Sequence, residues 1–239
     1  MKQLFFLCSL SALLTTCPLI TSAAESPVSP SVITDADAQQ MTENIRDFIR
    51  AVERGQSSKV RALLNVGVNP NIMLESGDTP LTHALRYDDW ATADVLMKSS
   101  LTDASLENRL GETPLMLAVF KNRNDYFEQL LQKGAAVNKP SGWTALHYAA
   151  TEGRTDMLKR LLSLGARVNA QTQSGVTPLH MAARIPHREC VILLLKAGAY
   201  RDYCTNAGLS PADMARKAGD HELADFLAVE HCAVRGPAR

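Results

Sequence analysis

The side chains best suited to chemistry fall into two sets. His221, Glu222, Leu223, Ala224 and Asp225 read as H-E-x-x-D, half of a zinc-protease helix in which two ligands one turn apart hold the metal and the glutamate serves as base. His231 and Cys232 follow close behind, so a metal-binding or enzymatic module built on His221, His231 and Cys232 is the alternative to be weighed. The second ligand position holds aspartate where the motif needs histidine, which favours a solvated helix face. The other set is His147 and His180, which stand 33 residues apart in nearly the same phrase. No G-x-S-x-G elbow, phosphate-binding glycine loop or C-x-x-C pair occurs. The sequence therefore argues for no enzyme, and it implies no cofactor, no bound metal and no small-molecule substrate.

The elements that carry these residues are short helices. Thr144-Ala-Leu-His-Tyr-Ala-Ala and Thr177-Pro-Leu-His-Met-Ala-Ala each place a threonine where a helix starts, its hydroxyl able to accept an early backbone N–H. Pro178 suits the first helical position, where its missing donor would have had no partner anyway. Leu146, Ala149 and Ala150 lay a small apolar stripe along the first helix, and Gly153 stops it. Met157, Leu158, Leu161 and Leu162 recur at helical spacing before Gly165, giving a second amphipathic helix. The unit is helix, turn, helix, loop.

The 33-residue period carrying T-P-L-H-x-A resembles the ankyrin-repeat family. The resemblance implies an all-α repeat solenoid of about six repeats, each a helix-turn-helix with a hairpin loop, curved around a concave binding groove. The frame runs Thr79, Thr113, Thr144, Thr177 and Ser210 with gaps of 34, 31, 33 and 33; a first unit over 42–71 lacks the phrase and reads as the N-terminal cap. Asp88 and Asn122 stand where glycine belongs in two inter-helix turns, and both residue types tolerate left-handed backbone. Pro186 holds that place in the fifth unit and pushes Ile185 out of helical geometry, so this turn must be built differently. The family resemblance also makes His147 and His180 structural hydrogen-bonding residues between adjacent repeats, and leaves His83 facing the concave side without an evident partner.

The same resemblance places protein-partner contacts on the hairpin tips and just after the paired alanines. Carried onto this chain, the groove consists of Arg86, Tyr87, Leu110, Glu112, Phe120, Lys121, Trp143, Glu152, Arg184 and Ile185. Tyr87, Leu110, Phe120, Trp143 and Ile185 are large and apolar or aromatic where a merely wetted surface would be polar, which makes them a candidate docking stripe. The 31-residue gap leaves the loop around Trp143 two residues short, predicting a stunted finger with Trp143 at the base of a notch, beside a finger at Leu110 lengthened by one.

Lys2, an uncharged apolar run over 4–20 and Ser22-Ala23-Ala24 read as a cleaved secretory signal over 1–24, with a membrane attachment only if Cys17 is lipidated. Residues 25–40 read as a linker, 41–230 as the repeat domain and 231–239 as a flexible tail. Removing Lys2 leaves 24 basic against 25 acidic residues, a balance with no pull toward nucleic acid. The expected molecule is a monomeric, secreted or periplasmic protein that binds an envelope protein, as an inhibitor or immunity protein, or as an accessory to an enzyme; the remaining alternative is a folded scaffold without a tight partner. Outside the leader the cysteines are Cys190, Cys204 and Cys232, an odd number. Cys190 reads as a small buried hydrophobe out of reach of Cys204; a Cys204–Cys232 bond is conceivable.

Overall fold

The computed structural model describes residues 35–234; the expected leader with Cys17, most of the linker and the last five residues lie outside them. Twelve helices stand among the described residues, in pairs: α1 (Asp35–Glu53) with α2 (Ser57–Asn65), α3 (Pro80–Arg86) with α4 (Trp90–Lys98), α5 (Pro114–Phe120) with α6 (Asn124–Gln132), α7 (Ala145–Thr151) with α8 (Thr155–Ser163), α9 (Pro178–Arg184) with α10 (Arg188–Lys196), and α11 (Pro211–Lys217) with α12 (His221–Leu227). Two short strands, β1 (Tyr203–Cys204) and β2 (Ala233–Val234), complete the set. The first helices pack side by side in the row α1, α3, α5, α7, α9, α11, so the chain is the all-α solenoid that the period predicts.

Each first helix starts the same way with different chemistry. In all five units that carry the phrase, the residue three places after the cap turns back and accepts the cap residue's own N–H. Thr82 Oγ1 does so at 2.8 Å, Met116 Sδ at 3.4 Å, His147 Nδ1 at 3.2 Å, His180 Nδ1 at 3.2 Å and Asp213 Oδ2 at 2.9 Å. This closes one of the donors that a helix start would otherwise leave open. The two histidines do a second job. With Nδ1 accepting, the one proton of each neutral ring sits on Nε2, and it is donated at 3.1 Å to Val176 O from His147 and to Leu209 O from His180. Each imidazole thus ties its own helix start to the hairpin of the following unit. Burial pushes both rings down to about 4, against the lesser upward pull of those carbonyls.

Between the rows lies a continuous apolar core. Leu146, Ala149, Ala150, Leu179, Ala182 and Ala183 are buried where α7 and α9 meet, and the four alanines let the helices approach closely. Met157, Leu158 and Leu161 close the outer helix onto them. Asp88 (φ 59°) and Asn122 (φ 55°) take the left-handed turn that Gly153 (φ 64°) takes in the fourth unit. Before Pro186, Ile185 is extended (φ −115°, ψ 99°), and the rebuilt turn is held by His187, whose Nε2 lies 3.0 Å from Thr151 O in the preceding unit. The His187 ring lies 2.7 Å from where a Cβ on Gly153 would stand, so glycine is required there for space as well as for backbone.

The hairpins project from the helical stack. Those at 74–78, 108–112, 172–176 and 205–209 share one pair of turn bonds: Leu74 N to Asp78 O and Gly77 N to Leu74 O, repeated by Asn108 and Gly111, by Thr172 and Gly175, and by Thr205 and Gly208. The hairpin at 139–143 makes neither among the described residues. The shortfall lies within it. From Asn71 to Thr79, Ser105 to Thr113 and Asn169 to Thr177 is eight residues, so the finger at Leu110 is not the lengthened one expected and the extra residue of the 34-residue gap falls before Ser105; from Asn138 to Thr144 is six.

Both ends differ from the sequence reading. Helix α1 begins at Asp35, so 35–40 is helical where a linker was expected; Asp35 and Asp37 in its first turn suit the positive end of the helix dipole. The expected flexible tail starts as ordered structure. Cys232 is bonded to Cys204 with Cα atoms 5.5 Å apart, Ala233 N donates to Asp202 O at 2.8 Å, and β2 pairs in parallel with β1. The chain end covers the open edge of the last hairpin. Cys190 is buried and free, its thiol pushed up to about 11 by burial.

Candidate functional site

The metal-binding alternative loses its sulfur ligand first: Cys232 is spent in the disulfide. Among the described residues no cluster of three or more His, Cys, Asp or Glu side chains is placed to hold a metal ion.

On the concave side the candidate stripe resolves into a cluster and its flanks. Phe120, which closes α5, and Trp143, at the end of the short hairpin, stay 47% and 40% exposed. Neither belongs to the core, and between them stands Tyr148 of α7. Phe120 meets Tyr148 edge-on with ring centroids 6.3 Å apart; Trp143 meets it the same way at 6.0 Å and also leans on His147 at 5.4 Å. The three rings form one aromatic surface across two repeats.

Beneath this surface runs a charged network. Arg86 binds Asp78 through Nε at 3.1 Å and through Nη2 at 3.2 Å, and its Nη2 also donates to Glu112. Asn108 Nδ2 bridges the two carboxylates at 2.8 and 2.9 Å, and Tyr148 Oη donates to Glu112 Oε1 at 2.9 Å. Burial by itself would raise both carboxyls, but it is outweighed at Asp78 by the bonds from Arg86, Asn108 and Thr82, and at Glu112 by those from Asn108, Arg86 and Tyr148, so both are held below their ordinary values. The Tyr148 hydroxyl is pushed upward, first by burial and then by Glu112. The network fixes the height and tilt of the Tyr148 ring, and with it the aromatic surface.

The ten residues expected in the groove therefore do different things. Phe120 and Trp143 come together. Arg86 and Glu112, expected to meet a partner, turn their charges inward on Asp78, Asn108 and Tyr148. Lys121 pairs with Asp88 at 2.9 Å, and Glu152 lies 3.8 Å from Arg154. Arg184 and Ile185 are exposed further along the groove, and Tyr87 lies at the opposite end, its ring 4.6 Å from that of His83. Leu110 sits at a hairpin tip, 78% exposed. Between that tip and the next full hairpin opens a cleft of about 710 Å³, walled by Arg109, Leu110 and Gly111 on one side and Thr172, Gln173 and Ser174 on the other, with Lys139 to Trp143 as its floor. This is the notch that the two-residue shortfall predicts.

Sequence reasoning missed Tyr148, the hub of the site. It occupies the fifth place of the phrase, where His83, Leu117, Met181 and Met214 stand in the other units, so the period marks it as packing. The available signal was that this one position carries a large ring with a polar tip that needs a partner.

Known sequences match along the array. A profile of ankyrin repeats in three copies fits residues 48–141 and again 91–172, and a second ankyrin profile fits 161–215. The transient receptor potential cation channel subfamily A member 1 of Homo sapiens is 32% identical over 93 residues, a stretch covering 39% of this chain and 8% of that protein. Most of the described chain is thus covered by repeat profiles in the same frame as its stacked helix pairs, and the chain belongs to the ankyrin-repeat family, whose arrays are protein–protein interaction modules.

Proposed function

We propose that this chain works outside the cytoplasm by docking an envelope protein on its concave face, as an inhibitor or accessory of an envelope enzyme. The observation that carries the docking is the aromatic surface of Phe120, Tyr148 and Trp143, held from below by the Arg86–Glu112–Tyr148 network and half open above. Rigid aromatic rings that are already positioned lose little conformational freedom on binding and are the usual energetic anchors of interfaces. Arg184 and Ile185 extend the surface. The compartment is supported by the Cys204–Cys232 bond, since disulfides persist where the surroundings are oxidising, and by the leader-like composition of residues 1–24.

The test is capture from an envelope extract with the full chain as bait, comparing wild type with Phe120→Ala and Trp143→Ala. Each anchor is expected to carry about 2 kcal/mol, roughly a 30-fold loss of affinity, with far-UV circular dichroism unchanged. Capture that survives both substitutions would refute the groove. Added back to the captured enzyme, the wild-type chain lowers activity if it inhibits, and sustains activity under stress if it assists.

A further inference from the structure

The shortened hairpin breaks a ladder that its neighbours keep. Arg109 N donates to Gly77 O at 2.7 Å, and Asn206 N donates to Ser174 O at 2.9 Å, so the hairpins at 74–78 and 108–112, and those at 172–176 and 205–209, are joined through their backbones. No backbone bond joins 139–143 to either side among the described residues. Side chains hold the short hairpin instead: Lys139 Nζ reaches Gly111 O at 2.5 Å and Glu107 at 2.9 Å, and Arg167 Nη2 donates to Lys139 O and Pro140 O. Gln173 is the counterpart of Asn206, yet among the described residues its N–H meets no backbone acceptor and Leu110 C=O meets no donor. One wall of the cleft thus offers a donor and the opposite wall an acceptor.

The charges in the cleft lean one way. Glu107 is neutralised by Lys139, whereas Arg109, at the rim of the same wall with its stem against Gly77 of the preceding hairpin, is exposed and pairs with no carboxylate among the described residues. The Trp143 ring stands at the floor, 40% exposed. The volume of about 710 Å³ is that of a pocket for several side chains.

We propose that this cleft takes an extended, acidic segment of the partner protein as a replacement hairpin strand, with one large apolar side chain on Trp143, a carboxylate on Arg109, and main-chain bonds to Gln173 N–H and Leu110 C=O. Strand addition to open backbone edges supplies affinity through the main chain, while side-chain pockets supply selectivity. The proposal rests on the docking function above and names the part of the partner that the hairpin row receives.

The experiment selects a phage-displayed library of random linear peptides on the full chain, then measures the enriched peptides against three variants. An insertion of two residues after Pro140 restores the full-length hairpin and fills the cleft; Arg109→Glu reverses its free charge; Phe120→Ala alters the aromatic groove outside it. The expected peptides combine Asp or Glu with a large apolar residue, and they lose about tenfold in affinity on the insertion and on Arg109→Glu while keeping it on Phe120→Ala. Basic peptides, no enrichment, or binding that survives the insertion with helicity intact would overturn the proposal. So would self-association of the chain that the insertion abolishes, because the occupant would then be a second copy. Failure of envelope capture with Phe120→Ala-independent peptide binding retained would sink the docking reading and leave the cleft standing, so the two are separable.

Discussion

Lowering the pH from 7 to 5 is expected to remove about 4 kcal/mol of stability through two side chains, His147 and His180. Both are held near pH 4 by burial in the folded chain, against 6.5 when exposed. Below 6.5 the unfolded chain therefore binds more protons than the folded one. The contribution is complete above 6.5, declines as the pH falls, and levels out below about 4. At pH 5 each unfolded imidazole is almost fully charged and each folded one almost wholly neutral; the 1.5 units between 6.5 and 5, at about 1.36 kcal/mol each, give about 2 kcal/mol per ring. Charging either ring in place would turn Nδ1 from acceptor to donor, facing the N–H of Thr144 or Thr177. His83, pushed down by its burial, adds in the same direction. The carboxylates stay out of this window, since Asp78, Glu112 and Asp213 have ordinary values of 3.8 to 4.5 and are lower still when folded, so their contribution fades only below about pH 5. Urea unfolding at pH 7, 6 and 5 reads the effect as a falling midpoint. The control is His147→Thr with His180→Thr, which installs the residue type that Thr82 already uses to accept the cap N–H. That variant is less stable at pH 7 and keeps only the smaller slope between 7 and 5 that His83 supplies. A wild type that changes by less than about 1 kcal/mol, or a double variant that keeps the full slope, would refute the assignment.

Two other perturbations test separate parts of the array. Arg86→Ala leaves Asp78 and Glu112, both largely shielded, without their cation; the cost is about 2 kcal/mol in urea unfolding, and adding Glu112→Gln is expected to recover part of it, which a purely steric role for Arg86 would not allow. Cys204→Ser with Cys232→Ser opens a loop of sequence separation 28, worth about 3.6 kcal/mol by chain entropy. Because repeats contact only their neighbours, the loss is expected as faster hydrogen exchange in α11 and α12 with α3 to α6 unchanged, and a uniform rise along the chain would contradict that locality.

What the sequence made legible is what the repeat makes local. A cap, a glycine-like turn and an apolar stripe each depend on residues within one turn or one unit, so Thr144, Thr177, Asp88 and Asn122 could be placed from spacing alone, and their backbone and bonds agree. Even the rebuilt turn at Pro186 followed from proline's effect on Ile185. The site lies beyond that reach. Arg86 and Glu112 are 26 residues apart and Glu112 and Tyr148 are 36, and each pairing needs a particular side chain on a particular neighbour, which no period encodes. The family pattern assigns charged residues at groove positions to a partner, whereas Arg86 and Glu112 face each other. The parallel pairing of Tyr203–Cys204 with Ala233–Val234 escaped for a related reason: two residues of strand carry no pattern, and only the cysteine types at 204 and 232 hinted at it.

The shortened hairpin shows the converse, in which a broken period is itself the signal. A two-residue shortfall between Asn138 and Thr144 leaves the helices of the unit intact, because α7 still caps on Thr144 and still packs against α5 and α9. The omission falls wholly on the projecting loop, where it costs the core nothing. It removes the two turn bonds of that hairpin and the backbone link to each neighbour, and it uncovers Trp143 between two walls that remain complete. An array that needed only to be stable would gain by keeping those bonds. Their loss at the one unit that also carries Tyr148, beside Phe120, concentrates the exposed aromatic area and the open backbone groups in the same two repeats. Any protein that covers the rings therefore also meets the cleft, so restoring the two residues is expected to weaken partner binding even with every ring left in place.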